Sequence, residues 1–469
     1  MRNQKWKKSA ADTCRFVGTQ SRFFFLVIVF LSCFLILSAG GRALAGPPQT
    51  KSMESMYEAL SERVEKGVRG PIGDWHYYWK DGSFHIDSRK KNLKFEIKGQ
   101  ILIDGGDIDV DDELQNAFPD LDGGNIIFRK LTVSTYGNIY NAFDFKIGFD
   151  FANVRDIQDI WIRYLKNPFL EKVKIGNMKE PFSLENLTSI TRTTFMERAL
   201  PVVALGSGRN IGVRYDSLRS DKRINFGAGA FLNTGSFSTV GEGADQISQA
   251  DGFDLTARVF GLPVYGENGR RMLHLGLGYN YGSRNENDLE SPMQFRTRPE
   301  SRLTDDRLVD TGAIYGKRRD AVNAELAMVF GPWSFQGQYF YLSTDAAAAD
   351  DPDFWGYYAY LSWFLTGEHR NYNRAIGVFT GVEPQPSFHP TKGEWGAWEL
   401  AFRHSYIDLN DGAVYGGKEN NFTVGLNWHH NRNVRLMFNY IHAYVKDRAS
   451  PPVENGRSHI FQARVQLIW

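Results

Sequence analysis

Phe143-Asp144-Phe145-Lys146-Ile147-Gly148-Phe149-Asp150-Phe151 alternates an apolar residue with a polar or small one at every step. Successive side chains of a strand point to opposite faces, so a period of two marks a β-strand whose faces meet different surroundings. The alternation recurs on either side. Phe95, Ile97, Gly99, Ile101 and Ile103 interleave with Lys94, Glu96, Lys98, Gln100 and Asp104. Val434, Leu436, Phe438 and Tyr440 interleave with Arg435, Met437, Asn439 and Ile441. Phe461, Ala463, Val465, Leu467 and Trp469 interleave with Gln462, Arg464, Gln466 and Ile468.

Sixteen such segments are expected, near 93–104, 126–136, 141–151, 158–166, 171–178, 210–216, 223–233, 252–260, 271–281, 320–329, 332–342, 354–365, 395–407, 419–429, 433–444 and 459–469. Most have about the ten residues a tilted strand needs to cross a bilayer. Arg129 and Lys130 are adjacent, so in a regular strand one must face the wrong way or lie at the rim. Connections 105–125, 179–209, 234–251 and 282–319 are long, whereas 137–140, 167–170, 331–332 and 430–432 are tight. Long loops at one end and short turns at the other are the arrangement of an outer-membrane barrel. Segment 366–394 breaks the parity, being long on the short-turn side, and is expected to fold inward. A β-sandwich also alternates, but sixteen long strands exceed it, and its apolar face must meet a second sheet. The fold class read here is all-β: a closed antiparallel transmembrane β-barrel of sixteen strands, with a short N-terminal periplasmic helix and hairpin segment.

Composition agrees. The 469 residues are 42% hydrophobic, 14% aromatic and 23% charged, which excludes a disordered chain. Only residues 23–37 are apolar enough to suggest a membrane helix, and they are short for a span. With Lys5, Lys7, Lys8, Arg15 and Arg22 before them and Ala43-Leu44-Ala45 after them, they read as the core of a secretory signal cleaved after Ala45. Three segments follow: a signal peptide, 1–45; a periplasmic segment, 46–92; and the barrel, 93–469. In the second, 51–66 has helical spacing, and 75–79 and 84–87 form a hairpin around Asp81-Gly82. Both cysteines, Cys14 and Cys33, fall in the signal, so no disulfide is expected in the exported chain. The signal holds seven Lys/Arg and one Asp. Without it the chain has 48 basic and 53 acidic residues, a net of −5. Selectivity must then come from where charges sit.

A closed sheet satisfies every backbone donor and acceptor in lipid, and sixteen strands enclose a lumen too wide for side chains to fill. Tyr279, Tyr281, Tyr339, Tyr341, Trp355, Tyr357, Trp398, Trp428 and Trp469 suit interfacial aromatic girdles. Lumen residues are those alternating with the apolar set. Their basic members are Lys94, Lys98, Lys146, Arg163, Lys172, Lys174, Arg214, Arg258, Arg403, Arg435 and Arg464. Their acidic members include Glu96, Asp104, Asp144, Asp150, Asp159, Asp216, Asp254, Glu325 and Glu399. Such a set either braces the wall in pairs or forms patches of one sign that select ions.

Other chemistry has little support. His429 and His430 are adjacent on a strand and point to opposite faces, so they cannot share a metal. The acidic run 107–113 lacks the spaced Gly and terminal Glu of a calcium loop and reads as a solvated loop. No Ser lies in a nucleophile-elbow pattern, no enzyme is expected, no cofactor is called for, and no basic patch suits nucleic acid. A passive channel and a plugged barrel acting as an outer-membrane enzyme or adhesin remain the two classes.

Several stretches resemble the phosphate-selective porin O and P family: Gly148-Phe149-Asp150-Phe151-Ala152, Val173-Lys174-Ile175-Gly176-Asn177-Met178-Lys179-Glu180-Pro181-Phe182-Ser183-Leu184-Glu185-Asn186-Leu187-Thr188-Ser189, Thr194-Phe195-Met196-Glu197-Arg198, and the terminal Phe461-Gln462-Ala463-Arg464-Val465-Gln466. So do Leu365-Thr366-Gly367-Glu368 with Arg370 and Tyr372, Gly396-Ala397-Trp398-Glu399-Leu400 with Arg403, and Gly425-Leu426-Asn427-Trp428. The likeness runs from about Trp75 to Trp469. It implies a homotrimeric channel in outer-membrane lipid for small anions, phosphate or polyphosphate first, with a non-selective general porin as the variant. It also implies a third extracellular loop, here 179–209, folded inward to narrow the pore. The anion-facing set is then Arg192 and Arg198 on that loop, with Lys146, Arg163, Lys174, Arg214, Arg258, Arg403, Arg435 and Arg464 on the wall. Arg198 could instead pair with Glu197 or a wall carboxylate and only pin the loop.

Overall fold

A computed structural model describes residues 70–72, 74–80, 82–152, 156–169, 172–217, 223–233, 252–284, 292–346 and 351–469. The expected signal peptide, both cysteines and the helix over 51–66 lie outside these residues.

Three short strands come first: β1 (Gly70–Ile72), β2 (Trp75–Lys80) and β3 (Ser83–Ser88). Next are β4 (Leu93–Val110), β5 (Gly123–Ile139), β6 (Phe143–Asp150), β7 (Asp156–Tyr164), β8 (Val173–Lys179) and β9 (Arg209–Asp216). They are followed by β10 (Ile224–Leu232), β11 (Phe253–Gly266) and β12 (Arg271–Ser283). The two-residue pair β13 (Arg296–Thr297) and β14 (Val309–Asp310) lies within a loop. The ring resumes with β15 (Gly316–Phe330), β16 (Trp333–Ala346) and β17 (Asp353–Phe364). A second two-residue pair, β18 (Tyr372–Asn373) and β19 (Val378–Phe379), precedes β20 (Ala397–Asp411), β21 (Val414–His429), β22 (Val434–Arg448) and β23 (Val453–Ile468).

Sixteen of these, β4–β12, β15–β17 and β20–β23, form one antiparallel ring, each paired with its neighbour in the chain. The ring closes where β23 pairs with β4, with Arg464 opposite Asp104. Closure leaves no ring edge unpaired, which is what a sheet in hydrocarbon requires.

Burial is inverted relative to a soluble protein. Phe143, Ile147, Phe149, Val213, Leu275, Leu277, Phe422, Phe438 and Val465 are exposed on the outside. Asp104, Arg258, Glu325, Arg403 and Arg464 are buried within. A sandwich would bury the apolar face, so the expectation of a barrel holds. Tyr279, Tyr339 and Tyr341 are exposed on the outer wall, and Trp398 stacks on Trp428 with ring centroids 5.0 Å apart.

Three corrections concern β4, β5 and the first loop. The acidic run is only partly a loop: Asp107–Val110 continue β4, while Asp111 accepts a hydrogen bond from the Leu114 N–H and caps the helix Asp112–Ala117. The expected loop 105–125 is therefore shorter. Arg129 and Lys130 both face inward. A β-bulge makes this possible, since Leu102 pairs with Lys130 but Ile103 pairs with Phe128, leaving Arg129 as the extra residue.

Two loops bend into the lumen and bury apolar side chains against the wall. Loop 180–208, between β8 and β9, buries Phe182, Phe195, Met196, Leu200 and Leu205. Ser183 caps its helix Leu184–Leu187, and Pro201 sits in the first turn of Leu200–Ala204. A second inward loop, 292–315, buries Phe295, Leu303 and Leu308. Phe182 meets Phe340 of β16, Phe195 meets Tyr360 of β17 and Phe295 meets Phe354 of β17 edge-on or tilted, at 5.4–6.1 Å. Each such burial contributes about 1.5–3 kcal/mol, enough in sum to hold both loops against the wall. The two loops also join each other: the Leu200 N–H donates to Glu300 Oε1 at 3.2 Å.

At the other end the expected hairpin is β2–β3. β3 pairs with residues 93–97 of β4, directly below the length that β23 occupies, so the ribbon continues the wall under the end of β23. The expectation for the long segment between β17 and β20 also holds. The Tyr372 hydroxyl lies 2.6 Å from His274 Nδ1, and Arg258 donates to the carbonyls of Ile376 and Gly377.

Candidate functional site: a basic passage beside the inward loop

Loop 180–208 packs against β16–β23 and leaves space along the opposite wall. A cavity of about 820 Å3 runs there, between β4–β8, the loop and residues 376–383 of the turn-end segment. Ten Lys and Arg side chains line it, against four carboxylates: Asp150, Asp159, Glu197 and Glu383.

The carboxylates are fully engaged. Glu197 takes Arg129 at 2.5 Å and Arg464 at 2.8 Å, with Arg302 at 3.9 Å. Asp159 is held between Lys146 and Arg209, the latter at 2.9 Å. Asp150 faces Lys130 at 3.5 Å, and Glu383 faces Arg432 at 3.2 Å. These cations hold the Glu197 carboxyl well below the usual carboxylate range, overcoming its burial. All four acids are thus neutralised, and Lys179, Arg192 and Arg198 have no carboxylate partner among the described residues. The surplus along the passage is positive.

Loop carbonyls support that surplus. Arg198 donates to the carbonyls of Glu185, Asn186 and Thr188 at 3.1–3.3 Å, and Lys179 reaches those of Asn186 and Thr188. Burial lowers the Arg198 guanidinium to about 10, against the pull of Glu185 and Glu197. Arg198 therefore pins its loop through carbonyl oxygens, while Glu197 belongs to Arg129 and Arg464. Arg192 lies flat against Gly381, where an added Cβ would stand 2.2 Å from Nη1.

Of the ten residues expected to face anions, Arg192, Arg198 and Lys146 line the passage. Arg163 lines a separate recess at the turn end and pairs with Asp144 at 2.6 Å. Five others brace the wall outside the passage. Lys174 and Arg214 share Asp216, Arg258 is bidentate on Glu325, and Arg403 takes Glu300 at 2.6 Å. Arg464 is bidentate on Asp104 at 2.6 Å. Arg435 donates to the carbonyls of Thr191 and Thr193 and to Gln466, outside the main passage. Lys98, Arg129, Lys130, Lys179, Arg209, Arg302 and Arg432 line the passage and were not among the ten expected to face anions. The adjacency of Arg129 and Lys130 was a readable signal, because two neighbouring cations in a strand demand a bulge or a rim. Arg302 and Arg432 carried none, since their loop and turn have no period.

His429 and His430 diverge as expected: His429 faces Glu399, and His430 lies over Trp428. The described residues hold no cluster of three or more metal-ligating side chains.

Among known proteins, the chain is 26% identical over 430 residues to an uncharacterized protein of Caulobacter vibrioides, covering 91% of this chain and 83% of that one. It is 24% identical over 402 residues to Porin O of Pseudomonas aeruginosa, covering 77% and 85%. Among solved structures it is similar to an anion-selective porin from Comamonas acidovorans, at TM-score 0.49 and 12% identity, covering 80% of this chain and all of that one. The family described as Phosphate-selective porin O and P matches residues 95–469, and the chain, a closed sixteen-strand outer-membrane barrel, belongs to it.

Proposed function

We propose that this chain is a passive diffusion channel for small anions, phosphate or polyphosphate first, and not an enzyme. It works as a homotrimer in the bacterial outer membrane, is exported behind a signal peptide cleaved after Ala45, and carries 46–92 as a periplasmic segment before the barrel from residue 93. One observation carries the reading: the passage has ten basic side chains against four carboxylates that are all engaged. An ion in a narrow passage feels the charges within about one Debye length, roughly 8 Å at physiological salt, so this local surplus outweighs a negative total. Arg192 offers a planar fork that matches phosphate oxygens, the surrounding cations add long-range attraction, and several moderate sites in series let an ion be passed on and released.

A plugged barrel is the second reading, favoured by the apolar packing of the two inward loops. Recording from purified protein in planar bilayers separates the two, because steady open steps require a conducting path. In a potassium chloride gradient the reversal potential should lie toward chloride, and phosphate should reduce the chloride current. A silent, well-folded protein sinks the channel reading. Cation preference sinks the anion reading alone.

A further inference from the structure

A second, smaller recess lies behind the inward loop, between residues 191–194, the turn-end segment at 380–382 and strands β20–β23. It measures about 20 Å3, enough for a single small occupant. Its charge is unusual for its size. Arg192, Arg370, Arg432 and Arg435 all line it. Arg432 is satisfied by Glu383. The other three have no carboxylate within ion-pairing distance among the described residues.

The recess has one acid of its own, Glu399, a single negative charge against three guanidiniums without an ion-pair partner. Thr194 and Asn427 donate to its two oxygens at 3.3 and 2.9 Å, and His429 stands 3.5 Å away. Arg435 is 4% exposed. Its two terminal nitrogens reach the carbonyls of Thr191 and Thr193 and the side chain of Gln466, but its Nε has no partner. Arg370 has its guanidinium carbon 3.6 Å from the centre of the Phe379 ring and donates to Gln336. Burial and the neighbouring Arg432 pull the Arg192 guanidinium below its usual range, against the opposing pull of Glu383. A buried guanidinium with an unmet donor and no carboxylate is costly unless something negative joins it.

We propose that this recess binds one monoatomic anion of chloride size, held by Arg435 with Arg192 and Arg370, and that the ion fastens the inward loop to β22. Arg435 and Arg370 do not line the main passage, whereas Arg192 stands between the recess and the passage and lines both. Its role is to secure residues 191–194, whose carbonyls Arg435 already holds, so that the loop keeps its distance from the opposite wall.

The test uses the purified, folded full-length barrel. Crystals grown or soaked in bromide in place of chloride should show an anomalous peak in the recess beside Arg435. The temperature at which the folded band converts to the unfolded one on a gel should rise and saturate with chloride at constant ionic strength made up with gluconate. Arg435→Gln should lose that dependence, and Arg435→Lys should keep part of it. The proposal is overturned by an ordered recess without a bromide peak, which means water fills it. It is equally overturned by the same chloride dependence in Arg435→Gln. Where Arg435→Gln does not assemble, the bromide map of the native chain decides. Neither readout involves current, so failure here is distinct from failure of the anion channel.

Discussion

Trp469 closes the ring by lying over Gly99. The two residues exchange backbone hydrogen bonds, Gly99 N–H to the Trp469 carbonyl at 2.8 Å and Trp469 N–H to the Gly99 carbonyl at 3.0 Å. The indole covers the glycine so closely that a Cβ there would stand 2.0 Å from Cζ2. This contact sits at the junction where β4 leaves β3 and takes up β23, so it marks the seam of the barrel.

Gly99→Val should therefore cost stability at closure, about 1–3 kcal/mol from overpacking, and slow assembly more than it alters the pore. Trp469→Asp should act more strongly, placing a charge at the membrane interface in place of a ring. The measurement is the fraction of heat-modifiable band after refolding. Equal yields for Gly99→Val and the native chain would show that the seam tolerates a displaced indole.

The bulge at Arg129 makes a sharper electrical prediction. Arg129→Glu with Lys130→Glu puts two negative charges on the passage, leaves Glu197 with Arg464 and the more distant Arg302, and takes the lysine from Asp150. Reversal potential in a potassium chloride gradient should swing to the cation side. Arg403→Gln, whose side chain pairs with Glu300 outside the passage, should leave the reversal potential near its native value while lowering stability. A swing of equal size in both variants means that selectivity is not local.

Arg192 and Arg198 should separate, although both line the passage. Arg192 has no hydrogen-bonded partner for its side chain among the described residues, so Arg192→Glu should reduce anion preference in a folded channel. Arg198 satisfies three loop carbonyls, so Arg198→Glu should also loosen the loop. The expected cost is on the order of 1–3 kcal/mol, since those buried acceptors lose their donor. Limited proteolysis within 184–198 together with conductance distinguishes the two effects. Indistinguishable protease sensitivity would mean that Arg198 does not pin the loop.

Loop anchoring should depend on pH through Glu180. Burial and the neighbouring Asp254 raise its carboxyl to about 8, while the Asn210, Thr256 and Asn280 side chains satisfy its oxygens. A folded pKa above the unfolded value favours the protonated form. The stabilisation is then full below about 4.5, the ordinary carboxyl value, and is lost as pH rises through about 8. The heat-modification temperature should fall between pH 5 and pH 9, and Glu180→Gln should flatten that slope. A native slope retained in the glutamine variant would assign it to other groups.

The segment between β17 and β20 should resist protease from the turn end. Tyr372→Phe removes its hydrogen bond to His274, worth about 0.5–1.5 kcal/mol, and should raise cleavage within 371–383 in the intact barrel. Rapid cleavage of the native chain there would show that the segment hangs free.

Period, length and parity alone determined the barrel. Every strand that crosses a bilayer must present apolar atoms to lipid at alternate positions, and that constraint is written into each strand, from Phe143–Asp150 to Val453–Ile468. The inward bend of 366–394 was legible from broken parity, whereas that of 179–209 came from the family resemblance. Which charges meet the solute was not. Lys174, Arg258, Arg403 and Arg464 alternate with apolar residues just as Lys146 does, yet the first four lie outside the passage and Lys146 lines it. Alternation decides only that a side chain faces the lumen. Whether it faces space or a partner depends on a residue tens to hundreds of positions away: Glu300 for Arg403, Asp104 for Arg464, Glu197 for Arg129. Those partners are brought together by ring closure and by two loops with no period to read. Folding therefore decided the sign of the passage, through long-range pairing that removed every carboxylate lining it from competition and left a few cations unpaired.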